Sequence, residues 1–182
     1  FEALYTMNET PAWRDLGVDT DLCEALIERG LSTPFPVQAL TIPDALAGRD
    51  ICGKAKTGSG KTLAFGIPMI QNLDGVTAGK KVKVLILVPT RELAVQVSEE
   101  LEPLAKVRSL RIAAIYGGAN IETQIKIISK GLSIAVATPG RMIDLIERKE
   151  ISVGGLEMVV IDEADRMADM GFLPQVEWIL RK

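Results

Sequence analysis

The chain of 182 residues contains no histidine. That removes imidazole-based acid–base catalysis and the common Cys/His zinc motifs. Its two cysteines, Cys23 and Cys52, have a spacing unsuited to a structural metal site. Cys23 falls on an expected helix and Cys52 on an expected buried strand, where both would pack as small hydrophobes in a reducing cytoplasm. No apolar run approaches the ~20 residues of a membrane span, and the N-terminus lacks a basic-then-apolar leader, so no membrane contact is expected. Neither sign of charge dominates. The net charge of −3 excludes a broadly basic nucleic-acid binder and confines any such contact to a local patch. There is no internal repeat and no low-complexity tract. What remains, 47% hydrophobic and 25% charged, is the composition of an ordinary soluble domain.

The stretch Ala55-Lys56-Thr57-Gly58-Ser59-Gly60-Lys61-Thr62 nearly matches GxxxxGK[ST], a glycine-rich turn feeding a helix N-terminus. Lacking Cβ atoms, Gly58 and Gly60 let backbone N–H groups wrap a triphosphate. The helix opening near Lys61 adds unpaired N–H donors and the positive end of its dipole. Lys61 would reach the β- and γ-phosphates, and the Thr62 hydroxyl would ligate Mg²⁺. The first glycine of the pattern is here Ala55. The alternative is a flexible Gly-Ser loop. Context favours the P-loop: Asp50-Ile51-Cys52-Gly53 reads as a short strand and residues 63–70 as a buried helix, giving strand, loop and helix in order.

Residues 1–12 read as an irregular arm and 13–182 as one domain. Asp19 or Thr20 caps a helix running to residue 29, with Gly30 just past its end. Pro34 and Pro36 make an extended turn before a helix over 37–47. Residues 74–81 form a polar loop. Strand and helix then alternate. Strands are expected at 82–88, 111–115, 133–137 and 158–161, the first and last as apolar runs of a kind buried on both faces. Helices are expected over 91–105, from Asn120 to 130, over 141–147 and over 175–181. This alternation predicts an α/β domain with a mostly parallel sheet and helices on both faces. Ligands in such sheets sit at the carboxyl ends of the strands.

Val159-Val160-Ile161-Asp162-Glu163-Ala164-Asp165 places carboxylates directly after an apolar strand. Asp162 there can hold Mg²⁺ and Glu163 can polarise an attacking water as general base. An acidic loop that only caps the following helix is the alternative, and it weakens once the upstream P-loop is counted.

Asp162-Glu163-Ala164-Asp165 spells DEAD, and with the P-loop the chain resembles the first RecA-like domain of a DEAD-box RNA helicase along nearly its whole length. Pro89-Thr90-Arg91-Glu92-Leu93-Ala94 matches the family's PTRELA motif, Gly117-Gly118 its GG doublet and Thr138-Pro139-Gly140-Arg141 its TPGR motif. Asp165-Arg166-Met167 and Asp169-Met170-Gly171-Phe172 follow the family's wording too. Residues 30–38 resemble its Q motif, with Trp13 where an upstream aromatic is expected and Phe35 where a small hydroxyl residue is usual.

The resemblance implies a RecA-like P-loop NTPase fold, ATP and Mg²⁺ as ligands, and hydrolysis coupled to unwinding or remodelling of RNA. Ala55 to Thr62 would hold the phosphates. The Gln38 amide could read the adenine edge and Trp13 could stack on the base, plain core packing being the alternative for Trp13. Lys61, Asp162 and Glu163 would serve catalysis, and Asp165 coupling between domains. Pro89, Thr90, Arg91, Gly117, Gly118, Thr138, Pro139, Gly140 and Arg141 would grip the sugar-phosphate backbone of single-stranded or duplex RNA, the arginines by charge. Other roles stay open for these residues. Arg91 can pair with Glu92, the glycine doublet can be a turn, and Thr138-Pro139 can end a strand and cap a helix. The family's SAT motif and second RecA-like domain are expected beyond Lys182, so this stretch alone is expected to be a monomer nearly inactive as an ATPase. A DNA translocase and a nucleotide-binding scaffold without hydrolysis are the other classes.

Overall fold

A computed structural model describes residues 11–56, 58–73 and 80–182. The arm expected at the N-terminus (apart from residues 11 and 12), Thr57 of the P-loop and most of the polar loop at 74–81 lie outside the described residues. Two compact units part between Asn72 and Leu73.

The first unit is helical. A short 3-10 turn at Trp13–Leu16 leads to α1 (Thr20–Glu28), α2 (Pro36–Leu46) and α3 (Lys61–Gln71). Asp19 sits at the N-cap position of α1, and Gly30, at φ 79°, turns the chain past its end. Pro36 occupies the first turn of α2, where its missing N–H costs nothing. Trp13, Leu22, Leu26, Ile42, Ile67 and Ile70 form the core, each at 2% exposure or less. The Gln71 amide fastens the end of α3 to the loop before α1, accepting from Asp19 N and donating to Gly17 O, each at 2.9 Å.

The strand expected at 50–53 does not form. Residues 49–56 carry no regular secondary structure, Ile51 is 43% exposed, and Cys52 is exposed rather than buried. Two apolar residues cannot hold an extended conformation without a ladder partner for their backbone groups, and no described strand pairs with them.

The second unit is the predicted alternation: β1 (Val84–Leu87), α4 (Arg91–Val107), β2 (Ile112–Ile115), α5 (Ile121–Ser129), β3 (Ile134–Ala137), α6 (Pro139–Glu147), β4 (Met158–Ile161), α7 (Ala164–Asp169) and α8 (Leu173–Leu180). The four strands run parallel in the order β2-β3-β1-β4, with Val84 level with Ile134 and Met158. β1 and β3 are fully buried, as near-continuous Val/Ile/Leu/Ala runs require. β4 departs from expectation. It pairs only with β1, and Val159 and Ile161 are 38% and 39% exposed. An apolar run signals a strand but says nothing of whether it lies centrally or at an edge.

The parallel order brings the ends of β1, β2 and β3 level, because Leu87, Ile115 and Ala137 share one register. The loops that follow them therefore emerge together.

Candidate functional site

In the first unit the P-loop is shaped by two left-handed glycines, Gly58 at φ 80° and Gly60 at φ 86°, the latter the N-cap of α3. A Cβ on Gly60 would overlap Gln38 Nε2 and stand 2.8 Å from Phe35 Cδ2. Glycine is demanded there twice over, by backbone and by space. Gln38 is 1% exposed. Its Oε1 accepts from Phe35 N at 2.7 Å and its Nε2 donates to Gly60 O at 3.0 Å, tying the N-terminus of α2 to the mouth of α3. A primary amide keeps one N–H and one lone pair after these two bonds.

Ser59 Oγ is buried with no hydrogen-bond partner among the described residues. Lys61 and Thr62 open α3 half-buried. An orphaned hydroxyl, left-handed glycines and a helix N-terminus are the features an anionic phosphate would satisfy. Trp13 is placed differently. Its ring is 2% exposed and its Nε1 donates to Leu31 O at 2.7 Å. No face is left for a base, so the stacking role is corrected to core packing. The aromatic beside the P-loop is instead Phe35, 49% exposed.

In the second unit three loops follow three strands. After β1, Thr90 caps α4, its Oγ1 accepting from Leu93 N at 3.3 Å. Arg91 Nε donates to Glu92 Oε1 at 2.6 Å. That hydrogen bond raises the Arg91 pKa and lowers that of Glu92. After β2, Gly117 and Gly118 are exposed, Gly118 at φ 85°, with Arg91 Nη1 3.9 Å from where its Cβ would stand. After β3, Thr138 is the N-cap of α6, but its hydroxyl makes no capping bond.

Arg141 is spent inwardly. Its Nη1 donates to Gln124 Oε1 and its Nη2 to Ala119 O, both at 3.1 Å. Gln124, 4% exposed on α5, donates in turn to Tyr116 O at 3.0 Å. Arg141 thus braces the glycine turn against α6 through a buried amide. Pro89, Arg91, Gly117, Thr138, Pro139, Gly140 and Arg141 line one cleft of about 570 Å³. Gly118 lines the neighbouring one with Arg91.

Asp162 follows β4, its N–H donating to Leu87 O at 3.0 Å, and its Oδ1 accepts from Glu163 N at 3.0 Å. Glu163 is left-handed, φ 51°, a conformation unusual for a residue with a side chain. Its Oε2 pairs with Arg166 at 3.2 Å. Asp165 is exposed, its Oδ1 accepting from Arg166 N at 2.9 Å. Among the described residues no cluster of three or more His, Cys, Asp or Glu converges as a metal cage. A single carboxylate after the strand fits Mg²⁺, which takes one or two protein carboxylates and leaves the rest to phosphates and water.

The DEAD/DEAH box helicase family model matches residues 35–182, which hold the P-loop, all three strand-following loops and the acidic turn. The chain belongs to this family. The DEAD-box ATP-dependent RNA helicase CshA of Bacillus cereus is 45% identical over 168 residues, 92% of this chain and 32% of that protein. The ATP-dependent RNA helicase RhlB of Shigella dysenteriae is 41% identical over 92% of this chain and 41% of that protein. A DEAD box protein crystal structure from the hyperthermophile Methanococcus jannaschii superposes with a TM-score of 0.85 at 39% identity, covering 93% of this chain and 46% of that one. The RecA-like α/β fold expected from the sequence is borne out. The chain spans about a third of the CshA length. Two residues of this DEAD/DEAH box domain had no motif to announce them: Gln124, which holds Arg141, and Gln175 of α8, which lines the same cleft.

Proposed function

We propose that this chain is the nucleotide- and RNA-binding part of an ATP-dependent RNA helicase. The observation that carries the reading is the single cleft onto which the loops after β1, β2 and β3 open. Exposed glycine backbone, an unspent Thr138 hydroxyl and helix N-termini suit a polyanion held without sequence readout. The relatives' names support RNA as that polyanion and ATP as the fuel.

Gly58, Ser59, Gly60 and Lys61 hold the triphosphate. Thr62 and Asp162 hold Mg²⁺, which when bound bridges phosphate oxygens and neutralises their developing charge. Glu163 takes the proton of the attacking water. Gln38 positions the P-loop through Gly60 O and keeps an N–H and a lone pair for the base. Gly117, Gly118, Thr138 and Gly140 contact the sugar-phosphate backbone, Arg91 adds charge, and Arg141 shapes the cleft rather than binding phosphate. Asp165 couples this domain, residues 13–182, to a second RecA-like domain in the whole protein. The compartment that suits this activity is the cytoplasm. No helix among the described residues is long and apolar enough to cross a membrane.

The test is ATP hydrolysis by the whole protein with single-stranded RNA, single-stranded DNA or neither. Stimulation by RNA, abolished by Glu163→Gln, supports the proposal. Stimulation by DNA alone moves the protein to the translocases, and nucleotide binding without turnover makes it a scaffold.

A further inference from the structure

Gln175 stands on the first turn of α8, which packs against α6. Its Oε1 is buried and has no hydrogen-bond partner among the described residues. The oxygen lies 3.9 Å from where a Cβ on Gly140 would stand, and Gln175 lines the cleft that Thr138 and Gly140 line. A buried acceptor left unpaired is costly, so its persistence at a cleft wall points to a ligand that satisfies it.

An acceptor needs a donor. Phosphate and sugar ring oxygens only accept, so a nucleic-acid backbone brings one kind of donor, the ribose 2′-hydroxyl. DNA has none. The cleft's other groups point to the opposite half of the backbone: Arg91 and the exposed amides of Gly117 and Gly118 are donors, suited to phosphate.

We propose that Gln175 is the residue by which this cleft selects RNA over DNA, its Oε1 accepting a hydrogen bond from a ribose 2′-hydroxyl. The assignment rests on the RNA-binding reading above and adds to it a specificity determinant outside the PTRELA, GG, TPGR and DEAD motifs. Gly140 belongs to the same device. A side chain there would stand in contact with the oxygen and crowd the hydroxyl's approach.

The experiment is equilibrium binding, by fluorescence anisotropy, of a single-stranded RNA, the matched DNA and the matched 2′-O-methyl RNA. The proteins are the chain, Gln175→Leu and Gln175→Glu. The wild type binds RNA better than either analogue. Gln175→Leu weakens RNA binding roughly three- to tenfold, the worth of one hydrogen bond, and leaves DNA and 2′-O-methyl RNA unchanged. Gln175→Glu keeps an acceptor, so it preserves the RNA-to-DNA ratio even as its charge weakens both. Thermal melting separates this from a structural role, because removing an unpaired buried acceptor does not lower Tm. Equal loss of RNA and DNA in Gln175→Leu would overturn the proposal, since that is what an amide donating to phosphate would give. An unchanged ratio would overturn it too. A wild type that binds RNA and DNA equally refutes this assignment and leaves the cleft a polyanion site. A wild type that binds neither refutes the RNA reading itself.

Discussion

Replacing Gly60 with alanine strikes the P-loop at two independent points. At φ 86° the new residue is left-handed, a cost of about 1–2 kcal/mol. Its Cβ would also overlap Gln38 Nε2 and crowd Phe35, and overpacking of this kind adds about 1–3 kcal/mol. Gly58 is the internal control, left-handed at φ 80° with nothing within 4 Å of its missing Cβ. Gly60→Ala should therefore destabilise the first unit by roughly 2–5 kcal/mol and Gly58→Ala by about 1–2 kcal/mol. Urea unfolding reads both. The chain has two tryptophans, so a Trp178→Phe background leaves the buried Trp13 as the reporter of this unit. Gln38→Ala gives the steric part a further test, since it removes the obstructing amide. The Gly60→Ala/Gln38→Ala double variant should lose less than the sum of the singles. Equal losses at Gly58 and Gly60, or a cycle additive to within about 0.5 kcal/mol, would refute the reasoning.

Four other outcomes follow. Glu163→Gln should abolish ATP turnover while nucleotide binding, measured by calorimetry, stays within about threefold. Glu92→Gln should release Arg91 and steepen the salt dependence of single-stranded RNA binding by about 0.7 in log–log slope. Acid should do the same. The Glu92 carboxyl is held below its ordinary range by Arg91, so the pair is intact above that range and is lost as pH falls through the lowered value. Gln124→Leu should strand Arg141 and Tyr116 O, lowering stability by about 1–3 kcal/mol in urea titration and weakening RNA binding without touching nucleotide affinity. Leu104→Ala, at a fully buried position on α4, should cost about 2–5 kcal/mol in the same titration.

The alternation of strands and helices was legible because each signal was local. VKVLILV yields Val84–Leu87, each residue fully buried, and Asn120 caps α5 through Glu122 N and Thr123 N as its position implied. Strand order is not a local property. Met158–Ile161 reads like β1, yet it lies at the edge with Val159 and Ile161 exposed, and Asp50-Ile51-Cys52-Gly53 forms no strand. The motifs marked the cleft residues by type but not where their polar atoms point. Arg141 reads as a phosphate ligand and is spent on Gln124 and Ala119 O; Trp13 reads as a stacking platform and packs in the core. Gln124 and Gln175 were silent because a neutral amide on a helix carries no periodic or charge signature. Only the fold, by bringing α5, α6 and α8 to the ends of β2 and β3, gives those amides a role.

The most direct measurement is amide chemical-shift mapping of the isotope-labelled chain, titrated first with Mg·ATP and then with single-stranded RNA. The account predicts that nucleotide moves the amides of Gly58, Ser59, Gly60, Lys61 and Thr62, and that RNA moves those of Gly117, Gly118, Thr138 and Gly140. RNA shifts scattered away from the ends of β2 and β3, or nucleotide shifts that bypass the P-loop, would contradict it.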